Sequence, residues 1–85
     1  MRNFQYVITD EVGIHARPAG LLVKKAKSFP AVITISCGGK KAEATKLMAI
    51  MGLGAKKGSE VTVTVEGEDE DAVSAEMETF FKENF

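Results

Sequence analysis

The chain has 85 residues, with 11 Lys and Arg residues against 12 Asp and Glu residues, and a formal net charge of −1. This length predicts one domain, residues 1–85, with a modest core and no enclosed active site. The near-neutral charge argues against nucleic acid, which binds basic surfaces. A single cysteine excludes an intramolecular disulfide and suits a reducing compartment. No stretch resembles a signal peptide or a membrane span, so we expect a cytoplasmic protein.

The first third of the chain predicts a strand, a loop and a helix. Residues Arg2–Thr9 alternate, with Phe4, Tyr6 and Ile8 on one face, which is typical of a half-buried strand. Asp10–Gly13 then forms a loop. Apolar or small residues recur at helical spacing in the next segment and predict a helix over Ala16–Lys27, with its stripe at Ala19, Leu22, Val23 and Ala26.

The middle of the chain predicts a β-hairpin. Val32–Cys37 is rich in β-branched residues and alternates, and Lys40–Ala44 can form the returning strand. Gly38 and Gly39 between them are typical of a two-residue hairpin turn. Cys37 then lies on the inner face, and we interpret it as a buried apolar residue without a partner that would make it reactive.

The last part predicts a short helix, a strand and a longer helix. Thr45 can cap a helix over Lys46–Met51. Val61, Val63 and Val65 alternate with polar residues in the strand that follows. The acidic run Glu68–Asp71 suits the start of a third helix, whose dipole favours negative charge, and we interpret it as a capping device rather than a ligand site. The apolar stripe of that helix is predicted at Val73, Met77 and Phe80.

These elements follow the order βαββαβα and indicate an α+β fold. Three helices on one face of a four-stranded antiparallel sheet would bury the apolar stripes and leave the other face in water.

The segment Gly13–Ala19 concentrates the chemistry of the chain. It places His15, the only histidine, at the N-terminus of the first helix, where free backbone N–H groups and the helix dipole favour anions. Arg17 adds a guanidinium suited to phosphoryl oxygens. A nucleophilic imidazole in this position could accept and release a phosphoryl group, although a surface histidine or a simple cap would fit the same pattern. A metal site is disfavoured because the chain has no second histidine.

The sequence Gly-Ile-His-Ala-Arg-Pro-Ala at residues 13–19 resembles the active-site signature of the HPr family, the histidine phosphocarriers of the phosphoenolpyruvate-dependent sugar phosphotransferase system. The resemblance covers essentially the whole chain. It implies an open-faced β-sandwich in which the first and last strands pair. It also implies that enzyme I phosphorylates His15, through Nδ1, and that the group passes to EIIA domains of sugar permeases. Arg17 and the amides of Ala16 and Arg17 would hold the phosphoryl oxygens, without any cofactor, in a monomer.

The same resemblance implies a docking surface beside His15. The short second helix carries more apolar residues than one face can bury. We expect Ile50 and Leu53 to point inward and the remaining large side chains to contact partners. Basic residues at the rim would suit acidic partner surfaces. The predicted docking residues are Gly20, Leu21, Lys24, Lys27, Leu47, Met48 and Met51.

Two residues depart from the family pattern. Lys46 occupies the position where HPr proteins of low-GC Gram-positive bacteria carry a serine that a kinase phosphorylates. Lysine cannot accept that modification, so control of this kind is not expected here, and capping accounts for the hydroxyl of Thr45. Val12 replaces a Ser or Asn that could position the imidazole through a hydrogen bond.

Two other classes of function fit parts of the sequence. A regulatory paralogue would share His15 but act as a phosphorylation-dependent binding module. A small acylphosphatase-like hydrolase would need a group that positions water, and no Asn or carboxylate in the sequence is evidently tied to Arg17.

Overall fold

Alternating β-branched residues and amphipathic stripes fold this chain into a four-stranded antiparallel sheet covered on one face by three helices. The computed structural model describes residues 1–85. The elements are β1 (Arg2–Val7), α1 (Ala16–Lys27), β2 (Val32–Cys37), β3 (Lys40–Glu43), α2 (Leu47–Met51), β4 (Glu60–Glu66) and α3 (Glu70–Asn84). The predicted order and the predicted α+β architecture are confirmed.

The sheet has the strand order β1-β4-β2-β3, so the first and last strands pair, as the family resemblance implies. Val61, Val63 and Val65 of β4 are fully buried because this strand lies between β1 and β2 and faces the helices. The hairpin between β2 and β3 turns at Gly38 and Gly39, which both have positive φ angles, 56° and 83°. This is the geometry that two-residue hairpin turns require.

The helices cover the inner face of the sheet and close one apolar core of 20 buried residues. In α1 the buried face consists of Pro18, Ala19, Leu22 and Ala26. In α3 it consists of Val73, Met77 and Phe81, which follow one another at four-residue spacing. Phe80, which was predicted in this stripe, packs against the core but is only partly buried. Phe81 takes its place because its ring makes edge contacts with Phe4 and Tyr6 of β1, at centroid distances of 5.9 and 5.8 Å.

Three smaller predictions were wrong. β1 ends at Val7 rather than Thr9, because the amide of Thr9 turns away from the sheet and binds the backbone oxygen of Phe85. Cys37 is only partly buried, since it lies at the hairpin end of the sheet. Thr45 is not the cap of α2: a tight turn from Glu43 to Lys46 makes Lys46 the N-cap, and its side chain forms no capping hydrogen bond.

The acidic run before α3 stabilises the helix start through Glu70. Asp69 is the N-cap but makes no capping hydrogen bond with its side chain. The Glu70 carboxylate instead accepts hydrogen bonds from the Met1 ammonium at 2.7 Å and from the Gly67 amide at 3.1 Å. These two bonds hold the pKa of Glu70 below its usual value, the Met1 ammonium having the larger effect. None of the helices combines the length and the apolar character that crossing a bilayer requires.

Candidate functional site

His15 is held at the start of α1 by a loop that is fastened to two other parts of the fold. The backbone oxygen of Phe85, after α3, accepts the amides of Thr9 and Asp10 at 2.6 and 2.8 Å. The amide of Ile14 donates to the oxygen of Ala55 at 3.1 Å. The loop between these anchors therefore has little freedom, and His15 follows it as the N-cap of α1.

Gly13 lets this loop pass close to the segment after α2. Its φ angle is +79°, and a Cβ atom built there would lie 2.5 Å from the oxygen of Ala55 and 2.6 Å from the Cα atom of Lys56. Both the backbone conformation and the lack of space therefore require glycine.

The N-terminus of α1 offers unpaired donors next to the imidazole. His15 has extended backbone angles, and its side chain makes no capping hydrogen bond. The amides of Ala16 and Arg17 have no acceptor in the protein, Pro18 has no amide hydrogen, and the first helical hydrogen bond runs from Ala19 to His15 at 3.0 Å. The guanidinium of Arg17 is exposed and forms no ion pair. This arrangement can bind the oxygens of a phosphoryl group attached to His15.

A carboxylate that the sequence analysis did not include also faces the imidazole. Oδ1 of Asp10 lies 3.7 Å from Nε2 of His15 and accepts the amide of Val12 at 2.9 Å. An aspartate that accepts the amide two residues later is a common turn motif, so Asp10–Val12 could have suggested a fixed carboxylate. Its proximity to the ring could not be read from the sequence, because it depends on how Phe85 anchors the loop.

The predicted docking residues lie on α1 and α2, which pack against each other. Leu21, Leu47, Met48 and Met51 are exposed, and Met48 is the most exposed of these, at 81%. Gly20 is half-buried, and Lys24 and Lys27 are exposed. Ile50 and Leu53 are buried, as predicted. The exposed apolar side chains are thus in place for contact with a partner, and their role as docking residues stays a prediction.

The two departures from the family pattern are both at the surface. Val12 is 67% exposed, and its side chain cannot hydrogen-bond the imidazole. Lys46 is exposed at the N-terminus of α2, where its charge opposes the helix dipole.

His15 lies on an open surface rather than in a cavity. The surface grooves, of about 270 to 450 Å³, are lined by residues of α1 and α3 or by the β2–β3 hairpin and its neighbours, and none of them includes His15 or Arg17. The structure also contains no group of three or more His, Cys, Asp or Glu side chains arranged to hold a metal ion.

Comparison with known proteins decides the family. Residues 3–83 match the family model described as the PTS HPr component phosphorylation site, where PTS is the phosphotransferase system. The chain belongs to the HPr family. It is 41% identical to the phosphocarrier protein HPr of Lysinibacillus sphaericus over 83 residues, which cover 98% of this chain and 94% of that protein.

Solved structures of the HPr family agree with this assignment. The histidine-containing phosphocarrier protein of Mycoplasma has a TM-score of 0.92 and 34% identity, over 96% of this chain and 93% of its own. Crh, the catabolite repression protein of Bacillus subtilis, has a TM-score of 0.78 and 31% identity, over 94% of this chain and 92% of its own, and was solved as a domain-swapped dimer. The family resemblance and the fold class predicted from the sequence are therefore confirmed, and the chain is a phosphocarrier-type component of the phosphotransferase system.

Proposed function

We propose that His15 accepts a phosphoryl group from phosphorylated enzyme I, which obtains it from phosphoenolpyruvate, and passes it to EIIA domains of sugar permeases. In this role residues 1–85 act as one phosphocarrier domain that supports sugar uptake. The observation that carries the proposal is the partly exposed imidazole of His15 at the N-terminus of α1, next to two amides without acceptors. No cofactor on this chain is needed for the transfer.

The chemistry of acceptance requires a free lone pair on one ring nitrogen. The Nδ1 lone pair attacks phosphorus and the new N–P bond forms, while the bond between phosphorus and enzyme I breaks and its electron pair stays with the atom of enzyme I that carried the group. The amides of Ala16 and Arg17 and the guanidinium of Arg17 bind the phosphoryl oxygens during the transfer. Because the group must leave again, these contacts need to favour the transition state more than the phosphorylated protein.

We also propose that partners dock on the exposed apolar residues of α1 and α2. Leu21, Leu47, Met48 and Met51 form the apolar part of this surface, and Gly20 leaves space beside it. The rim carries Lys24 and Lys27, and α1 contains no acidic residue. A partner with an apolar centre and an acidic rim fits this pattern.

A regulatory paralogue is the second candidate, because Crh is among the structural relatives. Such a protein would be phosphorylated yet act by binding other proteins. It would not pass the group efficiently to EIIA domains. We expect this chain to act as a carrier and as a monomer, which light scattering can check against the dimeric alternative.

Phosphorylation by enzyme I tests the proposal directly. The protein and its His15→Ala variant are incubated with Mg²⁺, phosphoenolpyruvate and enzyme I from the same organism, and their intact masses are measured. We expect one phosphoryl addition to the wild type that is labile in acid and stable in alkali, and none to the variant. Absence of the addition in folded wild-type protein would overturn the proposal.

Discharge of the phosphorylated protein separates the carrier from the paralogue. The phosphorylated wild type is mixed with an EIIA domain, and loss of the added mass is followed over time. Rapid transfer to EIIA supports the carrier function. A phosphoryl group that stays on His15 in the presence of EIIA supports the regulatory paralogue.

A further inference from the structure

Asp10 is the one acidic residue within ion-pair distance of His15. Its Oδ1 atom lies 3.7 Å from Nε2 of the imidazole, and the two side chains are each about one-third exposed, at 33% and 36%. The distance is longer than a hydrogen bond but short enough for a solvent-screened electrostatic effect on a charge that develops on the ring.

Asp10 is held through both its side chain and its backbone. Oδ1 accepts the amide of Val12 at 2.9 Å, which sets the direction of the side chain. The amide of Asp10 donates to the backbone oxygen of Phe85 at 2.8 Å, and Phe85 is itself buried. The neighbouring Glu11 differs in exposure and in partner, since its carboxylate is 86% exposed and pairs with Lys57 at 3.3 Å.

We propose that Asp10 is a positioning residue for phosphoryl transfer at His15. The negative charge of its carboxylate beside Nε2 favours the imidazole tautomer with the proton on Nε2, which leaves the lone pair on Nδ1 for attack on phosphorus. This inference rests on the proposed phosphocarrier function. Asp10 would also take over the positioning role of the Ser or Asn for which Val12 is substituted, because its carboxylate lies near the same ring.

Asp10 would also stabilise the positive charge that the imidazole gains during the transfer. When Nδ1 donates its lone pair to phosphorus, Nε2 keeps its proton and the ring gains a positive charge. The carboxylate opposite Nε2 stabilises that charge in the transition state. When the group passes to the next protein, the N–P electron pair returns to Nδ1 and the ring becomes neutral again.

The variants Asp10→Asn and Glu11→Gln separate this effect from a general change in charge. Both remove one negative charge from the same loop. The amide oxygen of Asn can still accept the Val12 amide, so the turn is retained. We measure kcat/KM for phosphorylation by enzyme I, and we expect about a fivefold loss for Asp10→Asn, because the pair is partly exposed, and no change for Glu11→Gln.

A spectroscopic measurement tests the positioning role without phosphorylation. Long-range ¹⁵N–¹H correlation spectra of the imidazole identify which nitrogen carries the proton under alkaline conditions, in which imidazoles are neutral. We expect the wild type and Glu11→Gln to hold the proton on Nε2 and Asp10→Asn to shift toward the other tautomer. A wild-type ring with its proton on Nδ1 would overturn the inference, whatever the stability of the variant.

The two proposals fail in different ways. If enzyme I does not phosphorylate the wild type, the proposed function is wrong. If the wild type is phosphorylated, and Asp10→Asn matches it in both kcat/KM and tautomer, the phosphocarrier function stands and the role of Asp10 is wrong.

Discussion

Gly13 is the residue at which the fold constrains the site most tightly, and its replacement gives a quantitative prediction. Gly13→Ala places a side chain at a φ angle of +79° and a Cβ atom 2.5 Å from the oxygen of Ala55. The left-handed conformation and the backbone clash together should lower the free energy of unfolding by about 3 kcal/mol. Urea denaturation of the variant and the wild type measures this difference.

Gly54→Ala is the matched control for that prediction. Gly54 also has a positive φ angle, +67°, but a Cβ atom there would meet nothing within 4 Å. Its replacement should cost only the conformational strain, about 1 kcal/mol. Equal losses in the two variants would show that the close approach to Ala55 does not constrain the loop.

At the scale of single residues, the sequence was sufficient for groups whose position depends on local chain geometry. His15 and the amides of Ala16 and Arg17 belong to one helix start, so a motif and a periodic stripe were enough to bring them together. The contact between Asp10 and His15 is different. It depends on the oxygen of Phe85, more than seventy residues away in the chain, which fixes the loop only after α3 has docked.

At the scale of elements, α2 is the helix with the least suitable N-terminus. Lys46 is its N-cap, with φ and ψ angles of −116° and 99°, yet lysine offers no acceptor for the first amides of the helix. Lys46→Ser supplies that acceptor and removes a charge that opposes the dipole. We expect a gain of about 1 kcal/mol in the free energy of unfolding, measured by urea denaturation.

Hydrogen exchange locates this gain within the molecule. The amides of Met48 and Ala49 are the ones that a serine hydroxyl at position 46 can bind, so their exchange should slow in Lys46→Ser. Lys56→Ser removes an exposed lysine from a loop and serves as the control. If both variants have the same stability and exchange rates, the cap of α2 does not limit its stability.

The elements also show where sequence patterns suffice and where they do not. The bounds of α1 and β2 agree with the prediction, because a long helical stripe and a β-branched run each contain their own signal. The prediction failed where contacts with other elements determine the end of a strand or the buried face of a helix. β1 ends at Val7 because the amide of Thr9 donates to the backbone oxygen of Phe85. The buried stripe of α3 includes Phe81 because its ring packs against Phe4 and Tyr6 of β1.

At the scale of the whole molecule, charge differs between the two helices that carry the proposed docking surface, α1 and α2, and helix α3. Helix α1 contains basic residues and no acidic ones, and α2, whose N-cap is Lys46, contains no acidic residue either. Helix α3 has the opposite balance, with Lys82 as its only basic residue against Glu70, Asp71, Glu76, Glu78 and Glu83. The small net charge of −1 therefore includes helices of opposite charge.

This difference predicts how the protein associates with enzyme I, if enzyme I presents the acidic rim that the proposed docking surface fits. Lys27→Glu reverses one charge on α1, and we expect it to lower the association rate constant about threefold to tenfold at low ionic strength. The wild-type rate constant should fall as salt is added, and the variant should depend on salt less steeply. Stopped-flow measurements over a range of salt concentrations provide both quantities.

Lys82→Glu makes the same charge change on α3 and should leave the rate nearly unchanged, because that helix is already acidic and lies outside the proposed docking surface. A wild-type rate constant that is independent of salt would mean that apolar contact alone, and not charge, guides docking.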